Sequence, residues 1–144
     1  MMFQDCIDFA NQNPVCYLAT VDKDQPRVRG MLMWFADEKG FHFSTGTVKP
    51  LYKQLQKNAK VELCFYAPGA GPAVGKQMRV RGQVEFLNER PLKERLLNDR
   101  PFLKAIVQGN PDDPLLSVFR VCTGEITFWT MADNLKPNPT KIKF

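Results

Sequence analysis

The residues best suited to chemistry lie between positions 27 and 49, where two arginines, two hydroxyl side chains and a predicted helix start follow one another. Arg27 and Arg29 alternate with apolar residues in a segment typical of a β-strand, which puts both guanidinium groups on one face together with Met31. At roughly 3.3 Å per residue their Cα atoms would lie about 7 Å apart, so both side chains could reach one anionic group.

A second group of polar residues follows a predicted turn. Ser44 and Thr45 end the predicted strand FHFST, and Thr47 is predicted to cap a helix whose first turn includes Lys49. Unpaired amides at a helix start carry partial positive charge, which would add to that of the arginines. The pattern therefore predicts a phosphate-binding site. The same residues also fit an ordinary amphipathic strand with solvated arginines, and both interpretations stay open on the pattern alone.

Length and composition are typical of one globular domain. The 144 residues, of which 44% are apolar, are enough for one domain over 1–144 with its own hydrophobic core. The net charge of +5 favours acidic partners such as anionic cofactors or nucleic acid. The charge is spread along the chain rather than blocked, so a solvated surface accounts for most of the lysines.

The cysteines and the amino terminus bear on the location of the protein. The four cysteines, at positions 6, 16, 64 and 122, are too dispersed for a disulfide framework or a zinc site, so they are predicted to be reduced core residues, and no metal site is predicted. The amino terminus, MMFQDCIDFA, lacks the basic leader of a secretory signal. No apolar run approaches the roughly 18 to 20 residues that cross a bilayer. The prediction is a cytoplasmic protein with no membrane association.

Hydrophobic periodicity predicts a mainly β chain with a few short helices. The first three strands are predicted to pair in chain order as an antiparallel meander, and residues 68–75 are predicted to be a flexible connection. Two helices separated at Pro101 and a final hairpin around Thr123 and Gly124 are predicted in the second half. The predicted helices cover 2–11, 48–57 and 88–108, and the predicted strands cover 15–21, 27–33, 41–45, 60–67, 76–87, 115–122 and 125–131.

Familiar catalytic groups are scarce. His42 is the single histidine, and its place between Phe41 and Phe43 favours a structural role over that of a catalytic base. No Gly-x-Ser-x-Gly elbow is present. If the protein is an enzyme, a bound organic cofactor is predicted to carry the chemistry.

Five segments together resemble one known family. VCYLATVD, QPRVRGM, FHFSTGTVK, LQKNAKVELCFY and MRVRGQVEF, which fall within residues 15–87, are similar to the pyridoxamine 5'-phosphate oxidase-like flavin-binding split barrels. The resemblance implies an α+β, mainly β fold, an antiparallel split β-barrel of the FMN-binding type with short flanking helices. It further implies a homodimer that holds two FMN molecules at the subunit interface, with a small-molecule electron donor and acceptor.

The resemblance also implies which residues hold the cofactor. Arg29, with its neighbours on the same strand, matches the basic strand that holds the FMN phosphate and ring edge, and Ser44 and Thr45 match the residues that meet the flavin. Trp129 resembles a tryptophan near the end of the true oxidases. The complete set of implied cofactor-binding residues is Arg27, Val28, Arg29, Met31, Ser44, Thr45, Thr47, Lys49, Gln77 and Trp129.

One departure from the family limits the implied activity. In the true oxidases that tryptophan precedes an arginine and histidine cluster that helps hold the pyridoxal phosphate substrate, whereas here it is followed by TMADNLKPNP. The resemblance thus implies an FMN-dependent oxidoreductase acting on a small organic acceptor, without pyridoxamine phosphate oxidase activity. One alternative is a non-catalytic carrier of flavin, deazaflavin or haem. Another is a basic barrel that binds single-stranded nucleic acid, which is disfavoured because the phenylalanines of the strands are predicted to face the core.

Overall fold

The computed structural model describes residues 1–70, 75–137 and 139–144. Within them the helices are α1 (Phe3–Gln12), α2 (Pro50–Lys57), α3 (Arg90–Asp99) and α4 (Pro101–Val107). The strands are β1 (Val15–Asp22), β2 (Gln25–Leu32), β3 (Phe35–Asp37), β4 (Gly40–Gly46), β5 (Lys60–Ala67), β6 (Lys76–Leu87), β7 (Leu116–Thr130) and β8 (Lys141–Lys143). The structure confirms the predicted amino-terminal helix, the predicted helices on either side of Arg100 and the predicted strands up to residue 87. The predicted connection over 68–75 falls partly outside the described residues.

The strands form one antiparallel sheet in the order β2-β1-β5-β6-β7-β4-β3, with β8 paired to β7. The two ends of this order, β2 and β3, are consecutive in the chain, so the sheet must curl until its edges approach one another. Backbone bonds from Met33 to Pro14 and from Trp34 to His42 tie down the short link between them. The result is the predicted mainly β, antiparallel split barrel with short flanking helices.

The predicted meander of the first three strands is wrong. β1 and β2 form the expected hairpin, but β4 pairs with β3 on one side and with β7 on the other. Short connections favour pairing between strands that follow one another, yet here the closure of the barrel gives β4 a partner from the far end of the chain.

The predicted final hairpin is also wrong, because residues 116–130 form the single strand β7. Thr123 has a positive φ of 57°, and the register of β7 against β6 shifts between Arg81 and Gln83. A Cβ on Gly124 would lie 1.7 Å from the backbone oxygen of Arg81, so only glycine fits there. The turn-like pair Thr123 and Gly124 therefore marks a bulge that bends one long strand.

The core divides into two clusters, one on each side of the curled sheet. The barrel interior holds the fully buried Phe41, Phe43 and Phe65, and α1 and α2 pack against it. A smaller cluster lies under α3 and α4 and includes Leu96 and Val107. The cysteines are free thiols, as predicted, but only Cys6 and Cys16 are core residues, since Cys64 and Cys122 are half-buried.

Among the described residues, no helix is both long and apolar enough to span a membrane.

Candidate functional site

Strand β2 presents two different faces, as its alternation predicted. Arg29 lies opposite Leu18 and Met31 lies opposite Cys16, so these side chains share the inner face of the sheet. Val28 lies on the outer face and is 70% exposed. Since β2 is an edge strand, its inner face is only partly covered by the barrel.

Arg29 is fixed in place by three acceptors. Its Nη1 donates to the backbone oxygen of Leu18 at 3.1 Å and to the Thr20 hydroxyl at 2.9 Å, and its Nη2 donates to Gln54 Oε1 at 2.7 Å. A guanidinium has five N–H donors, so two of them have no partner in the described part of the chain. Burial, and to a smaller extent the charge of Arg27, lowers the pKa of Arg29. The Arg29 guanidinium is therefore half-buried and fixed in position, and it has two N–H groups available to donate to a ligand.

Arg27 differs from its neighbour. Its side chain is 54% exposed and lies 3.8 Å from the Asp22 carboxylate, a loose surface pair. The structure thus separates two arginines that the pattern treated alike: Arg29 points to α2, and Arg27 lies near the turn of the β1–β2 hairpin.

A cavity of about 450 Å³ lies between the end of β2, the end of β4, the start of α2 and helix α4. Its volume falls in the range of small-molecule sites. It brings together four of the predicted cofactor-binding residues, namely Met31, Ser44, Thr45 and Lys49. Arg29 is not part of the lining, but it lies two residues from Met31 on the same strand face, about 7 Å along the strand.

Thr45 carries the observation that points most directly to a ligand. The residue is 7% exposed and lines the cavity, yet its hydroxyl has no hydrogen-bond partner among the described residues. A buried hydroxyl without a partner costs roughly 1 to 3 kcal/mol. Because the hydroxyl itself is buried, a polar ligand in the cavity would supply the missing bond only once the Thr45 side chain turns towards it.

Thr47 does not have its predicted role. Helix α2 begins at Pro50 with Lys49 as its N-cap residue and without a side-chain cap. The Thr47 hydroxyl instead donates to the backbone oxygen of Pro114 at 2.8 Å, and its amide donates to that of Leu115 at 3.0 Å. Thr47 joins the end of β4 to the loop before β7. The hydroxyl that was predicted to cap a helix therefore makes a tertiary contact instead.

Gln77 and Trp129 lie opposite each other on β6 and β7. Strand β4, which borders the cavity, pairs with β7 at Ser117 and Val118, whereas Trp129 lies eleven residues beyond Val118 along β7. Both side chains are half-buried on the outer face, beside Tyr66 of β5. The two residues therefore lie well away from the cavity of their own chain.

Helix α4 supplies a wall of the cavity that the sequence analysis missed. Phe102, Leu103 and Ile106 line it, together with Arg100 at the junction of α3 and α4. Their helical spacing predicted a helix but no binding surface, and Phe102 and Ile106 are mainly exposed. The sequence does contain a signal for this wall, because the apolar pair Phe102 and Ile106, at i and i+4, follows the charged residue Arg100.

His42 is neither solvent-facing nor fully hydrogen-bonded, because it is buried and its Nδ1 has no hydrogen-bond partner among the described residues. It is 3% exposed, it stacks on Phe35 with ring centroids 4.1 Å apart, and its Nδ1 lies 3.8 Å from the Asp37 carboxylate. Burial lowers the pKa of His42, and the nearby Asp37 opposes this shift. His42 is not among the residues that line the cavity, so its placement does not give it contact with a ligand there.

Residues 3–130 match the family model described as pyridoxamine 5'-phosphate oxidase. The chain belongs to this family. A pyridoxine/pyridoxamine 5'-phosphate oxidase from Anaeromyxobacter dehalogenans is 30% identical over 141 residues, which cover 78% of this chain and 69% of that protein. The corresponding oxidase from Pseudomonas paraeruginosa is 34% identical over 89 residues, and the match spans only 40% of its length.

A solved structure is also similar over nearly the whole chain. The NimC/NimA family protein from Clostridium acetobutylicum is 27% identical, with a TM-score of 0.78 that covers 98% of this chain and 92% of that one. This chain therefore shares its split-barrel fold with a protein whose name differs from that of the oxidases.

Proposed function

We propose that the protein is an FMN-dependent oxidoreductase that transfers electrons to a small organic acceptor. The observation that carries the proposal is the cavity lined by Ser44, Thr45 and Lys49, together with a buried Thr45 hydroxyl that has no hydrogen-bond partner among the described residues. Family membership supplies the cofactor class, since the resemblance implied FMN. The residues present fit such a ligand because hydroxyl and ammonium groups line the cavity and the Arg29 guanidinium lies on the same strand face as Met31, which also lines it.

The phosphate of FMN is proposed to bind between β2 and the start of α2. Lys49 supplies an ammonium group at the cavity, and Arg29 supplies two unused N–H donors from a position already fixed by Thr20 and Gln54. A dianion is well matched by two cations, because charge-assisted hydrogen bonds are roughly twice as strong as neutral ones. The hydroxyls of Ser44 and Thr45 are proposed to bond the flavin itself, which for the buried Thr45 requires its side chain to turn towards the cavity.

The protein is further proposed to act as a homodimer in which each site is completed by the partner. Trp129 lies eleven residues along β7 from Val118, the residue that pairs with Ser44, and Gln77 lies opposite Trp129, so both are remote from the cavity of their own chain. The outer face of the sheet that carries them also carries exposed apolar side chains, which include Val15, Tyr17, Val28, Leu32 and Tyr66. Contiguous exposed apolar surface of this kind is typical of an interface.

When bound, FMN would supply hydride chemistry, so no side chain of this protein needs to act as an acid or base. The chain's own residues bind the phosphate, orient the ring and exclude water. The segment TMADNLKPNP after Trp129 contains neither arginine nor histidine, so the cluster that holds pyridoxal phosphate in the true oxidases is missing. The proposed activity therefore excludes pyridoxamine phosphate oxidation.

Two measurements test this proposal. FMN fluorescence should be quenched on titration with purified protein and saturate at one FMN per chain. The loaded protein should then be mixed with NADH or NADPH in a stopped-flow instrument. Flavin reduced faster than free FMN supports an oxidoreductase, whereas binding without accelerated reduction identifies a carrier.

A further inference from the structure

The cavity beside β2 has a cation on each of two walls. Lys49 belongs to the wall formed by the start of α2, and Arg100 belongs to the wall formed by α4. Among the described residues that line the cavity, none is an aspartate or a glutamate. A concave site that contains positive charge and no acidic side chain attracts anions, so the lining favours a negatively charged ligand on both walls.

Arg100 is fixed in place and still has donors available. Its Nη2 donates to the backbone oxygens of Leu32 at 3.1 Å and Met33 at 2.9 Å, at the end of β2. A guanidinium has five N–H donors, so the Nε–H and both N–H groups of Nη1 have no partner within the described part of the chain. Because the group is already held against β2, a ligand that bonds to it loses little free energy to ordering of the side chain.

The charge of Arg100 is not neutralised by a carboxylate in the cavity. The neighbouring Asp99 does not line the cavity, and its carboxylate accepts a bond from Trp34 Nε1 at 2.9 Å and lies 3.5 Å from Nε of Arg95. Burial lowers the pKa of Arg100, and the charge of Asp99 opposes this shift. A guanidinium stays protonated at neutral pH, so Arg100 is a half-buried cation whose free donors suit an anionic group.

The two walls differ in the amount of charge that they can balance. The phosphate of FMN is a dianion, and two cations, Lys49 and Arg29, are proposed to hold it. Arg100 is the one cation of the α4 wall among the described lining residues, which matches a ligand group with a single negative charge. Its neighbours in the lining, Leu103 and Leu115, are apolar and would contact an uncharged remainder of the same ligand.

We infer that the acceptor of this site carries a carboxylate group and that Arg100 binds this group, which makes Arg100 a specificity-determining residue for the proposed reaction. The inference rests on the proposed function, because it assigns the chemical class of the acceptor in the same cavity. Arg100 binds and orients the acceptor and takes no part in the transfer of electrons or protons.

The first experiment compares three ligands of equal chain length in the absence of a reductant. Protein loaded with oxidised FMN is titrated by calorimetry at about pH 8 with hexanoate, with the neutral hexanamide and with hexyl phosphate, which is a dianion at this pH. Hexanoate should bind at least about tenfold more tightly than hexanamide, because charge-assisted hydrogen bonds are roughly twice as strong as neutral ones. Hexyl phosphate should bind no more tightly than hexanoate.

Two results of these titrations would overturn the inference. Equal affinities for hexanoate and hexanamide would show that the cavity does not select a negative charge. Tighter binding of hexyl phosphate than of hexanoate would show that the acceptor site selects a dianion. Neither result depends on a variant, so the inference can be tested on the wild-type protein alone.

The second experiment assigns the selectivity to Arg100. Arg100→Gln removes the charge but keeps an N–H donor for the backbone of β2, and it should weaken hexanoate binding by about tenfold while hexanamide and FMN affinities stay unchanged. Arg100→Lys keeps the charge and should restore part of the hexanoate affinity. Lys104→Gln is the matched control, because Lys104 is an exposed cation on the same helix that does not line the cavity.

The outcomes separate the inference from the proposed function. A wild-type protein that binds no FMN contradicts both. If FMN binds and is reduced by NADH, but Arg100→Gln and Lys104→Gln have the same hexanoate affinity, only the role of Arg100 is contradicted. If Arg100→Gln is folded by circular dichroism but loses FMN affinity as strongly as hexanoate affinity, Arg100 belongs to the cofactor site and the inference fails.

Discussion

Arg29 and Gln54 are joined by a 2.7 Å hydrogen bond from the guanidinium to the side-chain amide oxygen, which fixes the arginine of edge strand β2 against α2. The Thr20 hydroxyl lies between them and bonds to both. This network connects the barrel interior to the helix whose start borders the cavity. It explains why Arg29, and not the neighbouring Arg27, is suited to hold an anion in a defined position.

Replacement of Arg29 should therefore weaken cofactor binding. Arg29→Ala is expected to raise the Kd for FMN about tenfold to a hundredfold, because hydrogen bonds to charged groups contribute roughly 1.5 to 3 kcal/mol each. Arg90→Ala, an exposed arginine on α3 paired with Glu94, is the matched control and should leave the Kd unchanged. Fluorescence quenching of FMN measures both. Equal affinities for the two variants would rule out Arg29 as a phosphate ligand.

Thr45→Val should have opposite effects on stability and on binding. Because the Thr45 hydroxyl is buried with no partner in the described part of the chain, its removal should stabilise the flavin-free protein by about 1 kcal/mol in urea unfolding. The same variant should bind FMN about tenfold more weakly if that hydroxyl bonds the flavin.

The control for this pair of effects is Thr20→Val. Thr20 is also buried, but its hydroxyl bonds Gln54 and Arg29, so the substitution should destabilise the flavin-free protein. Destabilisation by Thr45→Val would mean that its hydroxyl already has a partner in the folded protein.

The outer face of the sheet should hold the dimer together. Val28→Asp places a charge on that apolar face and is expected to convert a dimer into monomers in sedimentation velocity. FMN affinity should fall as well if the partner's Gln77 and Trp129 contribute to the site. Lys23→Asp changes the charge in the β1–β2 turn, at a positive φ of 61° that aspartate tolerates, and should leave the dimer intact. A wild-type monomer that binds FMN fully would refute the shared site.

His42 should make stability depend on pH near neutrality. Burial places the pKa of the folded protein's His42 below its ordinary value of 6.5. Below that pH the unfolded chain binds a proton that the folded chain does not, so the free energy of unfolding should fall as pH drops from 7 towards 5.5. The slope can reach about 1.4 kcal/mol per pH unit.

Urea unfolding of wild type and His42→Phe at several pH values checks this dependence. The phenylalanine variant keeps a ring against Phe35 but cannot titrate, so its stability should be flat over the same window. Carboxylates titrate mainly below pH 5 and do not interfere. Parallel slopes for the two proteins would mean that His42 is not the titrating group.

The sequence predicted the local elements well because their signals are local. Alternation in β1, β5 and β6 and the break at Pro101 each reflect side-chain period or backbone restriction within a few residues. The pairing of β4 with β7 and the bulge at Thr123 and Gly124 were missed. They result from closure of the barrel, in which residues distant in the chain meet, and no local pattern encodes that meeting.

The candidate site likewise combines residues that the sequence predicted with contacts that it could not predict. The pattern predicted Ser44, Thr45, Lys49 and Met31, which do line one cavity. It could not show that Thr47 bonds the loop before β7, or that α4 folds back to form the opposite wall. These contacts join residues more than fifty positions apart, so only the tertiary structure reveals them.

The most direct test of the account is an FMN titration of the purified wild-type protein, followed by its visible absorption spectrum. The account predicts a yellow protein that quenches FMN fluorescence, saturates at one FMN per chain and shows a shifted flavin band. A colourless protein that leaves the fluorescence of added FMN unchanged at every concentration would contradict it.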